Sequence, residues 1–124
     1  MNNDLRFKAL VVHLILNNRT EEAISLLSEH YRVPAPKVKV GMPKGHMKNT
    51  ACYMKKTRTI RFSKREVLAN PLVVLHEFYH HLRSMTDQHG GIEKNANKFA
   101  ESFIRAYKKF AYGAFKLNSN HLTV

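Results

Sequence analysis

The sequence predicts an α+β domain: two N-terminal helices, a small sheet of about three mostly antiparallel strands, and two longer helices after it. Three observations carry this expectation. Apolar residues recur at helical spacing through 4–16 and 20–31. They switch to strict alternation within 37–62. Helical spacing then returns from 71 to about 112. The 124 residues suffice for a single domain. It is predicted over 1–117, with 118–124 as a loose tail.

Each element has its own warrant. Segment 4–16 is apolar almost all round after Lys8, as a buried helix would be. Asn17-Asn18 breaks it. Thr20 has the chemistry of an N-cap, and Glu21 and Glu22 suit the positive end of a helix dipole. Ala23, Ile24, Leu27 and Tyr31 share one face. Pro34 and Pro36 end this helical region at about residue 33. Val38 and Val40 then alternate with Lys37 and Lys39, a half-buried strand. After a loop over 41–49, Thr50–Met54 and Arg58–Phe62 read as two more strands joined through Lys55-Lys56-Thr57. Ser63 and Glu66 have capping-box spacing for a helical turn at 64–69. Asn70-Pro71 reads as N-cap and first residue of a helix over 71–85, with Leu72, Leu75, Phe78, Tyr79 and Leu82 as its apolar stripe. Thr86–Gly91 is a turn, and the last helix runs over 92–112.

Charge is the unusual quantity. Lys and Arg number 21 against 9 Asp and Glu, a formal balance of +12. Between His30 and Arg65 there is no acidic residue and there are eleven cations, so the charge is segregated. A sheet so charged suits nucleic acid, through residues such as Lys55, Lys56, Arg58 and Arg61, or a substrate acidic near the cut. It suits first of all a solvated sheet whose lysines guard exposed strand edges. The single Cys52 excludes an internal disulfide and a Cys-based zinc site within one chain, and fits a reducing cytoplasm. No apolar run approaches the ~18–20 residues of a membrane span, so no membrane partner is expected. The longest, Ala9–Leu16, is interrupted by His13 and lacks a small-residue cleavage site after it. It is therefore expected to be a buried helix, not a signal peptide.

His76-Glu77-Phe78-Tyr79-His80 carries the chemistry. On a helix, residues four apart lie about 40° round the axis and about 6 Å along it, so two imidazoles there can grip one zinc ion. Glu77, one step round, can reach a zinc-bound water. Zinc lowers the pKa of such a water towards about 7, and a neighbouring carboxylate then takes its proton and later delivers it to the leaving amine. A catalytic zinc needs a third protein ligand, and Glu93, His89 and Glu101 are the downstream candidates. An antiparallel pair of helices places Glu93 level with residues 80–81, and Glu101 about 12 Å deeper.

The segment from Glu93 to Ala100, EKNANKFA, resembles the ExxA[D/N]xxA segment of gluzincin metallopeptidases, most closely the ExxANxFA stretch of ImmA/IrrE-type peptidases. The resemblance covers about 50–105 and not the two N-terminal helices. It implies a minimal zincin-like domain, Glu93 as third ligand of one zinc per chain, and Asn97 beside the ligands, able to orient a histidine but adding no charge. The connection from His80 to Glu93 is short for these families. Asp87-Gln88-His89-Gly90-Gly91 is similar to the turn that supplies a third His in SprT-like metalloproteases, which act on DNA-bound protein, though the Phe expected after it is absent.

The expected function is hydrolysis of protein or peptide substrates, with His76, His80 and Glu93 on zinc and Glu77 as base and acid. The alternative is a nucleic-acid-binding zinc protein, either non-catalytic, latent or SprT-like. In the peptidases this chain resembles, the strand nearest the cleft pairs with extended substrate, and Arg58–Phe62 is a candidate. An oxyanion needs a donor, for which Tyr79, His81, His89 and Tyr53 are available.

Overall fold

Asn17 and Asn18 separate two helices that pack on each other, α1 (Asn2–Leu16) and α2 (Thr20–Tyr31). The computed structural model describes residues 2–86 and 92–122, with side chains described from 3 to 86 and from 92 to 111. α1 buries Ala9, Val11, Val12, Leu14 and Ile15. It is not buried all round, because its neighbours lie on one side and leave Leu10 and Leu16 in solvent at 45% and 44% exposure. Thr20 is not the N-cap of α2 either. It is the first helical residue, buried, with its hydroxyl donated to the Leu68 carbonyl. Arg19 takes the cap position without a capping side chain. A tertiary bond has displaced the local one. α2 ends on Arg32 in the left-handed region at φ 57°, with Arg32 N–H donating to Glu29 and Val33 N–H to Ser28.

The sheet has β1 (Lys37–Val40), β2 (Ala51–Met54) and β3 (Thr59–Phe62) in the order β1-β3-β2. β2 and β3 form an antiparallel hairpin, and β1 adds to β3 in parallel. The sheet is therefore mixed, not mostly antiparallel. The chain leaves β1, passes through 41–50 to the far edge, and returns into the middle. The hairpin closes at Lys55–Arg58, with Arg58 at φ 51°. Register aligns Val38, Ile60 and Tyr53 in one row and Lys39, Arg61 and Cys52 in the next. Successive rows face opposite sides. Ile60 and Phe62, fully buried, join the core with the helices, and the basic row takes the outer side.

Arg65–Ala69 forms a short 3-10 helix entered through Lys64, one residue past Ser63, so the expected capping box does not form. Asn70 does cap α3 (Pro71–Met85), its Oδ1 accepting from Leu72 N at 3.1 Å and Val73 N at 3.4 Å. The buried face of α3 is Val74, Leu75, Phe78 and His81. Leu72, expected in the stripe, is 48% exposed. α4 (Glu93–Leu122) continues as helix through residues 118–122, where a loose tail was expected. No proline interrupts that stretch, and one interior glycine, Gly113, costs only about 1 kcal/mol. α4 packs on both α1 and α3. Ala96 and Ala100, both buried, permit its close approach to α3, and Phe103 anchors it in the core.

Candidate metal centre

Capping by Asn70 and burial of Leu75 and Phe78 set the rotation of α3 about its axis. That rotation turns His76 and His80 towards α4, with their Nε2 atoms 3.3 Å apart. Glu93 opens α4. Its carboxylate oxygens lie 2.8 Å from His76 Nε2 and 2.9 Å from His80 Nε2. Among the described residues, these side chains form the one group of His, Cys, Asp and Glu able to hold a metal, their ligand atoms all within 4.8 Å. The carboxylate sits in the first turn of α4, and the two imidazole side chains are mostly shielded from solvent.

Asn97, one turn further along α4, places Oδ1 2.8 Å from His76 Nδ1. The amide oxygen only accepts, so Nδ1 carries the proton and, in the neutral ring, Nε2 is left with its lone pair. That lone pair faces a carboxylate, which is also an acceptor. A cation between them satisfies both. Two nitrogens held at 2.0–2.1 Å by a tetrahedral zinc ion stand about 3.3–3.4 Å apart, which the His76–His80 spacing meets. The donor set of two imidazoles and one carboxylate also fits zinc.

Glu77 lines the same cleft and is partly buried. Burial pushes its carboxyl above the usual carboxylate range. His76 and His80 pull it down, and Glu93 adds to the rise. A carboxyl raised in this way is better suited to hold a proton between two transfers.

The other candidates separate clearly. Glu101 is exposed on α4, two turns beyond Glu93, and is not in the ligand group. His89 lies outside the described residues. His81 is fully buried with both ring nitrogens engaged, Nε2 donating to the Pro34 carbonyl at 2.7 Å and Nδ1 accepting from the Tyr53 hydroxyl at 2.8 Å. It cannot also serve an oxyanion. Burial holds its pKa below the ordinary histidine value, against the pull of the Pro34 bond, and Arg58 lowers it further. Tyr53 faces the cleft but its proton is committed to His81. Tyr79 packs against Phe99, ring centroids 5.4 Å apart. The bond from β2 through Tyr53 to His81, and on to the connector at Pro34, therefore fixes the spacing of strand and helix.

The cleft measures about 840 Å³ between β2, the loop before it, α3 and the start of α4. Its near wall is β2. Arg58–Phe62, the strand expected to meet substrate, is instead the middle of the sheet, with both edges already paired. β2 carries the edge that β3 leaves, with no strand paired to it among the described residues. The four cations singled out in the sequence also divide. Lys55 lines the cleft, Lys56 and Arg58 are exposed in the hairpin, and Arg61 donates to the Gly41 carbonyl. His46, Lys48 and Leu72 line the cleft unforeseen. The first two sit in a loop without periodicity, and Leu72 was assigned to the core. Comparisons with models of known protein families, with curated proteins and with solved structures find no match to this chain.

Proposed function

We propose that the protein is a zinc-dependent metallopeptidase of the gluzincin type, closest in kind to the ImmA/IrrE-like peptidases. The observation that carries this is the convergence of His76, His80 and Glu93 with Glu77 beside them in one cleft. Bound zinc supplies Lewis acidity and lowers the pKa of a water towards about 7. The chain's residues do the rest. Glu77 takes a proton from the water that attacks the peptide carbonyl and gives it to the departing amine. Asn97 holds the His76 ring in the tautomer that leaves Nε2 basic. The unpaired edge of β2 holds the substrate main chain in extended form. The lone Cys52, which needs no disulfide partner, supports action in the cytoplasm.

The alternative of a structural zinc in a nucleic-acid-binding protein calls for four protein ligands, and three donors converge among the described residues. The test is direct. The purified protein should carry one zinc per chain by elemental analysis and cleave an unstructured protein. A chelator should abolish cleavage and added zinc restore it. Zinc-replete protein that cleaves nothing, or cleavage indifferent to chelation, would sink the reading. Asn97→Ala is expected to lower zinc affinity about 10–100-fold, measured by competition with a chromophoric chelator. Unchanged affinity would remove its orienting role.

A further inference from the structure

The cleft has a charge asymmetry that peptide hydrolysis alone does not require. Of its lining side chains, the carboxylates are Glu77 and Glu93, and Glu93 lies against the two histidines. The remaining charged ones are cations. Lys48 precedes β2 and Lys55 follows it, both exposed and both facing the cleft. Among the described residues no carboxylate pairs with either, and the ion pairs of lysine and arginine, Lys8–Asp4 and Arg19–Glu22, lie on or beside the N-terminal helices. Neither lysine is therefore held in an ion pair within the described chain.

A four-residue strand spans about 13 Å, so a peptide laid along the β2 edge would cover it with about four residues. Side chains just beyond each end would then meet a lysine. Resting on the peptidase reading, we propose that the cleft selects an extended acidic segment. Asp or Glu on one side of the cut meets Lys48, and on the other side Lys55. A peptide fits these observations better than nucleic acid. It has the main-chain N–H and C=O groups that an unpaired strand edge binds, which a sugar–phosphate chain lacks. Two separated lysines flanking a bond also suit side-chain carboxylates at intervals better than a phosphate at every residue.

The test uses zinc-loaded Glu77→Gln protein, so that binding is read without turnover. Fluorescent peptides of equal length with acidic, neutral or basic flanks are compared by anisotropy, beside single-stranded and duplex DNA. The acidic peptide should bind about 10-fold more tightly than the neutral one at low salt. That preference should fade in high salt, where the screening length falls to about 3 Å at 1 M. It should also vanish with Lys48→Glu and Lys55→Glu together, and weaken with the gentler Lys48→Gln. Equal binding of acidic and neutral peptides, or a preference that survives the double reversal, overturns the proposal. So does DNA binding tighter than the acidic peptide and dependent on the same lysines. An acidic preference in a wild-type protein that cleaves nothing would sink the peptidase reading and leave this one as a binding specificity. Cleavage indifferent to flanking charge would do the reverse.

Discussion

Glu77→Gln is expected to lower peptide hydrolysis about 10²–10⁴-fold while zinc content stays at one per chain. Glutamine keeps the size of the side chain and can still face the cleft, but it cannot accept a proton from the attacking water. The fold should not suffer. Burial raises the Glu77 carboxyl, so the native site disfavours its charge, and a neutral amide removes that cost. The melting temperature should hold or rise. Single-turnover cleavage of a quenched fluorescent peptide, with elemental analysis on the same sample, separates loss of chemistry from loss of metal. A variant with full zinc and wild-type rate would end the role assigned to Glu77.

Phe78→Ala should cost about 3–5 kcal/mol of unfolding free energy. That is a large share of the ~5–15 kcal/mol typical of a whole domain. Phe78 is fully buried on the face of α3 opposite His76 and His80, with ring contacts to Tyr31 at 6.4 Å and His81 at 5.8 Å between centroids. It lies between His76 and His80 in the chain, so the cavity would also free the helix to roll and disturb their 3.3 Å spacing. Urea denaturation should show the loss, and zinc affinity should fall with it. Phe78→Leu, which keeps most of the volume, should lose much less. A fall below about 1 kcal/mol for the alanine variant would show that α3 is held from elsewhere.

The convergence of His76 and His80 on one helix face was legible in the sequence because it is local. The spacing of His76 and His80 is a property of any helix, and Asn70-Pro71 announced where that helix begins. Glu93 and Asn97 were named from the likeness of EKNANKFA to a known segment, and the burial of Ala96 and Ala100, which lets α4 approach α3, came only with the fold. What escaped was settled by contacts distant in the chain. Thr20 gave up capping to bond Leu68, 48 residues away. β1 chose a parallel partner across an intervening hairpin, which put β2 and not β3 at the cleft. His81 stood among the oxyanion candidates, and only the fold could show it spent between Pro34 and Tyr53.

The packing of α4 on both α1 and α3 has a consequence for the order of assembly. A fragment ending at residue 86 contains both histidines but lacks Ala96, Ala100 and Phe103, so the faces of α1 and α3 that they cover stay bare. Contacts between the first and last helices are remote in sequence, so the cost of closing the intervening chain must be met before they repay it. Glu93 arrives on that same last helix. The helix that closes the core therefore also completes the candidate ligand group. An ion held by the three side chains would tie α4 down and add its binding free energy to the stability of the whole domain. A partner that draws α4 aside would release such an ion and loosen the fold together.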